Sequence, residues 1–272
     1  MAGEPDARST GLCVVGEPSP QLGATIDELA ANGYVEQLAM ISFDGLTASI
    51  TGDGLTRTPL MPDLGPIEGR ADALWRAQRY LRTEVVCVIE PSLASEASLS
   101  AVLQVLQRAY SSDLVIGGPD VHSATQWSVN GWLTVLTEVA LTPALALHIP
   151  ALATKVPAPL AGIYAIDREL LASMPIVTSN APSLDLLLNT YFARRIEDIS
   201  YVQTEIYAPP APEPSSDQLA NEIVRIIAAA LVRHGLVSPP SIDDSRIYLR
   251  QPDGEMVTRR VAMQERPPLT TV

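Results

Sequence analysis

What the 272-residue chain has little of narrows the field first. It carries two cysteines, two phenylalanines and a single lysine, Lys155, among 18 basic residues. Two cysteines are too few for a disulfide framework, and a zinc site needs more ligands at short spacing. Cys13 and Cys87 lie instead in apolar runs, Leu12 to Val15 and Val85 to Ile89, and read as buried thiols in neighbouring strands. No basic tract is longer than two residues, and the formal net charge is -13. A chain that grips a phosphate backbone needs a basic footprint, which argues against nucleic acid and against anionic membrane surfaces. A small anionic ligand remains possible, since a local group of arginines can hold one against the global field. No eighteen-residue apolar run occurs; the longest candidate, Leu133 to Leu152, is broken by Glu138, Pro143, His148 and Pro150. The first ten residues hold acids where a secretory leader has a positive end. The expectation is a soluble, cytoplasmic protein. The excess of Arg over Lys reads as the base composition of a GC-rich bacterial genome.

What is present describes a folded α/β chain. Hydrophobic residues make up 47% and charged residues 18%, which excludes disorder. Gly11–Gly16 reads as a buried strand, Gln21–Asn32 as an amphipathic helix and Val35–Phe43 as a second strand. Pro59, Pro62 and Pro66 make the stretch from Asp44 to Gly69 a long loop. Gly69–Arg82 and Ser98–Ser111 read as helices, Glu84–Ile89 and Asp113–Ile116 as strands. Strand–helix alternation at this spacing predicts a mostly parallel sheet flanked by helices in a single domain. Further on, Trp127–His148 is largely apolar and helical, and Ala161–Ile166 is a strand or a packed turn. Ser183–Ala193 reads as a helix, Ile199–Tyr207 as a strand and Asp217–His234 as a strong helix. Beyond Gly235 the chain is a polar tail, with one possible strand at Ile247–Leu249.

The most distinctive local feature is Gly69-Arg70-Ala71-Asp72-Ala73-Leu74-Trp75-Arg76. A glycine before a helix start, with arginine in the first turn, can present backbone donors and a guanidinium fork to a diphosphate. The alternative is a loop–helix junction whose arginines are solvated. With the strand that follows it, this segment resembles a signature of GT-A fold nucleotide-sugar glycosyltransferases, in particular the glucosyl-3-phosphoglycerate synthase and mannosylglycerate synthase group. Leu114–Asp120, Pro159–Pro175 and Ser183–Tyr191 resemble later family segments in the same order, over about residues 11–235.

The resemblance implies a nucleotide-binding half at 11–116 and an acceptor half at 117–207. A helix at 217–235 and a tail at 236–272 follow. It implies contacts to the nucleotide or sugar from Glu17, Asp44, Arg70, Arg76, Glu90, Ser92, Gly162 and Tyr164. Asp185 takes the place of a family acid near the sugar and acceptor, or is simply a helix-start Asp. Arg70 is expected to meet charge developing on the diphosphate, and His122 to orient or deprotonate an acceptor. The departures are specific. The metal-binding Asp-x-Asp triplet reads Glu90-Pro91-Ser92, and a late family His is replaced within Tyr207-Ala208-Pro209-Pro210.

From these absences follows the expectation of transfer with no required cofactor, at most weak Mg2+ or Mn2+ at Glu90, and no metal ligand set. The expected partners are a GDP- or UDP-sugar and a small acceptor, with retained configuration at the sugar and a possible homodimer. Residues 117–126 contain Asp120 and no Arg or Lys, which favours a neutral or zwitterionic acceptor such as a natural-product intermediate or a small thiol. The alternative function is a non-catalytic GT-A-like binding or protein-interaction module.

Overall fold

The computed structural model describes residues 8–42, 47–51, 56–59, 66–94, 96–118, 149–204, 216–236, 246–250, 256–260 and 265–271. Two all-buried strands form the centre, β1 (Thr10–Val15) and β5 (Val85–Ile89). Both read as continuous apolar runs because helices cover both faces of the sheet. Parallel pairing joins β1 to β2 (Gln37–Ser42) on one side and to β5 on the other. Leu12, Leu38 and Cys87 share one row, so the three strands expected to be adjacent and parallel are so.

The full sheet has the order β4-β3-β2-β1-β5-β7-β6-β9. Here β3 is Thr47–Thr51, β4 Thr56–Pro59, β6 Leu114–Gly118, β7 Ile163–Asp167 and β9 Ile199–Gln203. Strands β1, β2, β4, β5, β6 and β9 run one way; β3 and β7 oppose them. Two differences from the sequence reading stand out. The stretch read as one long loop contains the β3–β4 hairpin, whose β-branched Thr and Ile residues suit a pleated edge. Where a strand or a packed turn was read over Ala161–Ile166, the strand is β7, and it is inserted antiparallel between β5 and β6 rather than following the parallel order.

Alternation along the strands divides the core into two layers. Leu12, Val14, Val85, Cys87 and Ile89 meet α1 (Pro20–Ala31) and α3 (Leu99–Ala109). Cys13, Val15, Val86, Val88, Tyr164 and Ile166 meet α2 (Arg70–Ala77), α6 (Pro182–Ala193) and α7 (Ser216–Arg233). The two thiols therefore lie in neighbouring strands but on opposite faces, and burial pushes both pKa values up. Short helices α4 (Pro150–Lys155) and α5 (Arg168–Ser173) complete this second layer. Helices α1 and α3 begin at Ser19 and Ser98, whose hydroxyls accept the amides of Leu22 and Ala101.

The C-terminal segment is more structured than a polar tail. Strands β10 (Arg246–Arg250) and β11 (Met256–Arg260) form an antiparallel pair. Strand β12 (Glu265–Arg266) pairs with the two-residue β8 (Ile176–Val177). No helix among the described residues is long and apolar enough to cross a membrane. The helix read over Trp127–His148 lies outside the described residues, apart from its last position's neighbours.

Candidate functional site

The site forms where β1 and β5 end, because small ligands of open α/β sheets sit outside the carboxyl ends of the strands. Val88 and Tyr164 are register partners, and Glu90 continues the same face of β5 just past its end. Burial of Glu90 is complete. Its backbone amide donates to the Gly162 carbonyl at 2.8 Å, and its own carbonyl accepts the amides of Leu93 and Ala94 at 2.9 Å each. Gly162 is required for this turn to lie so close: a Cβ there would stand 2.7 Å from Leu93 backbone carbon and the Ala94 methyl.

Arg70 supplies the facing charge. Gly69 has φ 94°, and a Cβ on it would lie 2.7 Å from the Ser179 carbonyl oxygen. That same oxygen accepts the Ala71 amide at 2.9 Å. The backbone on either side of Arg70 is thus pressed against the segment between β8 and α6. The guanidinium, largely buried, donates to the Asn180 carbonyl at 3.4 Å and stands 3.6 Å from Glu90 Oε2. Asn180 is held in turn by Glu222 of α7, which accepts both its amide and its side-chain NH2.

The polar atoms here are left incomplete by the protein. Both Glu90 carboxylate oxygens, Ser92 Oγ and the Tyr164 hydroxyl are buried without a protein hydrogen-bond partner. Burial pushes the Glu90 carboxyl up to about 7, with Arg70 and the nearby Tyr164 phenol pulling it back. Burial and the Glu90 charge raise Tyr164 well above the usual phenol range. Unpaired buried polar groups are costly, and a cluster of them beside one cation is a place built for an absent polar ligand.

The residues expected from the sequence divide accordingly. Arg70, Glu90, Ser92, Gly162 and Tyr164 come together here. Glu17 follows β1 on the same edge and is exposed. Asp44 and His122 lie outside the described residues. Arg76 requires correction as a nucleotide contact. It is fully buried, donating to Asp72 Oδ2 at 2.8 Å and to the Pro66 carbonyl at 2.9 Å.

Asp185 is also differently occupied. Its carboxylate, fully buried, accepts the Val177 amide at 2.7 Å and the Asn189 side chain at 3.2 Å. Burial pushes its pKa up to about 7, against the pull of the Val177 amide. These contacts tie β8 to α6 through Asp185. Residues not singled out from the sequence include Ser179, Asn180 and Glu222, which brace Arg70. Arg266 was missed as well, and nothing in a one-dimensional pattern links it to residue 72.

A sheet of this order, with a buried Glu–Arg pair at its carboxyl edge, has the GT-A fold seen in nucleotide-sugar glycosyltransferases. The particular likeness is to the glucosyl-3-phosphoglycerate synthase group. The enzyme of that name from Mycolicibacterium smegmatis is 27% identical over 277 residues, covering 95% of this chain and 84% of the relative. The Mycobacterium tuberculosis enzyme is 26% identical, covering 90% and 80%. Among solved structures, mannosyl-3-phosphoglycerate synthase from Rubrobacter xylanophilus superposes with a TM-score of 0.73 at 20% identity, covering 97% of this chain and 89% of the other. Glucosyl-3-phosphoglycerate synthase from M. tuberculosis with Mn2+ and UDP-glucose gives 0.71 at 22%, covering 97% and 91%. No family model matches the chain.

These structures overturn the expectation that no cofactor is required, since the M. tuberculosis enzyme holds Mn2+ beside UDP-glucose and beside UDP. The mistake lay in taking water and diphosphate oxygens to make up for one lost protein ligand but not for two. Among the described residues no cluster of three or more His, Cys, Asp or Glu exists. Yet Glu90 and Ser92 offer buried, unpartnered oxygens, the hard donors that Mg2+ or Mn2+ takes. A divalent ion commonly keeps one or two carboxylates and fills its remaining positions with substrate phosphate and water. The residues present fit such an ion.

Proposed function

We propose that the chain transfers a sugar from a nucleotide diphosphate sugar of the UDP-glucose type to a hydroxyl of a small acceptor, with a divalent cation at Glu90 and Ser92. The observation that carries this reading is the buried Arg70–Glu90–Tyr164 cluster, polar, incomplete and set at the carboxyl edge of the sheet. Arg70 is placed to neutralise the diphosphate as it departs, through a planar fork already oriented by the Asn180 carbonyl. The ion supplies further positive charge to the same leaving group. Tyr164, kept protonated by its surroundings, donates its hydroxyl to a donor oxygen. Gly162 keeps the wall beside this point free of side chain. Retention at the anomeric carbon belongs to the same reading, and NMR of the product's anomeric proton tests it.

The M. tuberculosis relative binds phosphoglyceric acid. A less anionic acceptor is favoured here by one observation: residues 109–167 contain a single basic residue, Lys155, and its ammonium donates to the Ile196 carbonyl at 2.5 Å. With so few cations, a multiply charged acid next to a diphosphate meets uncompensated repulsion. The test is transfer from UDP-glucose and GDP-mannose, with Mn2+, to a panel running from glycerol through glycerate to 3-phosphoglycerate. Turnover with any member supports the transferase reading, and a rate falling along the series supports the uncharged acceptor. Failure to bind either donor in calorimetry leaves the non-catalytic module as the better account.

A further inference from the structure

The sequence past residue 264 returns to the donor side of the molecule, where it meets β8, α2 and α7. Strand β12 pairs with β8 through Glu265↔Val177 and Arg266↔Ile176. From that backbone the Arg266 side chain crosses to α2, where its Nε donates to Asp72 Oδ1 at 2.8 Å. Its guanidinium lies 5.9 Å from the centre of the Trp75 ring, and Trp75 Nε1 donates to the Pro267 carbonyl at 2.8 Å. The other Asp72 oxygen accepts the Glu68 amide at 2.9 Å and Arg76 Nη2 at 2.8 Å.

Those contacts place Arg266 on both supports of Arg70. One support is the first turn of α2, tied through Asp72 to Glu68 just before Gly69. The other is β8, which runs directly into Ser179 and Asn180, the residues whose carbonyls receive Ala71 and Arg70. Resting on the donor-site reading above, we propose that Arg266 is a positioning residue for Arg70: its backbone fixes β8, its side chain fixes the first turn of α2, and the gap between them sets the guanidinium over Glu90. Arg266 itself does not reach the donor.

A purely structural role would weaken every variant alike, so the test is a double-mutant cycle read by UDP-glucose binding in Mn2+, with thermal melts alongside. Arg266→Gln should raise the donor Kd about fivefold to tenfold in the wild-type background, within the range of coupled neighbours. In the Arg70→Ala background the same change should raise it less than about twofold, because nothing remains to be positioned. Arg266→Lys should recover part of the loss. If Arg266→Gln does not fold, Trp75→Phe removes the Pro267 bond without touching the Asp72 charge and should show the same dependence on Arg70. Equal factors in both backgrounds, or no change in the wild type, would overturn the proposal while leaving the donor site intact. An Arg70→Ala variant that binds UDP-glucose as the wild type does would instead remove the donor-site reading itself, and this proposal with it.

Discussion

Helix α2 serves two buried carboxylates, Glu90 and Asp72, and their surroundings treat them in opposite ways. Asp72 is saturated: Arg76, Arg266 and the Glu68 amide fill its lone pairs, and these partners together hold its pKa below the usual range despite burial. Glu90 faces Arg70 at 3.6 Å and the Tyr164 phenol, and against both of them burial pushes its carboxyl up to about 7. One short helix thus serves two Arg–carboxylate pairs, and only the Asp72 carboxylate has both its oxygens hydrogen-bonded by the protein. Completeness marks the structural pair, incompleteness the pair that waits for a ligand.

The largest effect expected from this contrast is on stability. Asp72→Ala leaves Arg76 buried without its carboxylate and should destabilise the fold by about 3–5 kcal/mol, read by denaturant unfolding. An i,i+4 pair on a solvated face would be worth only a few tenths of a kcal/mol, so the measurement separates a buried pair from a surface one.

For the Arg70–Glu90 pair the loss should fall on turnover. Arg70→Ala should remove about 2–4 kcal/mol of transition-state stabilisation, seen in kcat/KM, with a small change in melting temperature. Arg70→Lys should restore part, because a point charge does not reproduce the planar fork.

Glu90 should show its incompleteness as a pH dependence of stability. Its folded pKa is raised from 4.5 to about 7, so the native state keeps a proton that the unfolded chain has released. Its contribution is therefore most favourable below about pH 4.5 and is lost as pH rises through about 7. Glu90→Gln should stabilise the metal-free protein by about 2–3 kcal/mol at pH 8 and by almost nothing at pH 4. The smallest effect should come from Tyr164→Phe, which deletes the hydroxyl facing Glu90 and should leave stability within about 1 kcal/mol of the wild type.

How much of this was legible in the sequence follows the same division. Apolar runs and caps placed β1, β5, α1 and α3 to within a residue or two, because local periodicity and a Ser at the helix start decide them. Gly69 and Arg70 were legible as a helix-start constellation, and Glu90 as the acid closing a buried strand. Arg76 was ambiguous because spacing cannot tell a guanidinium facing the nucleotide from one folded back on Asp72 across one helical turn. Asp185 was similarly ambiguous: its partners, Val177 and Asn189, are ordinary in sequence and decisive in space. The hairpin β3–β4 was hidden by prolines at its margins. The return of Arg266 to α2 joins residues 194 positions apart, beyond any local signal. The cation was missed for a different reason. Water and the oxygens of a bound diphosphate were taken to replace one lost protein ligand but not two.

The most direct test of the account is calorimetric binding of UDP-glucose to wild type and Glu90→Gln, each with Mn2+ and with EDTA. The account predicts that the wild type binds with Mn2+ and loses at least about tenfold in affinity with chelator, roughly 1.4 kcal/mol. Glu90→Gln should bind weakly and without regard to metal. Equal affinity of the wild type in Mn2+ and EDTA, or a Glu90→Gln protein that keeps the metal response, would contradict the placing of a cation-assisted donor site at Glu90.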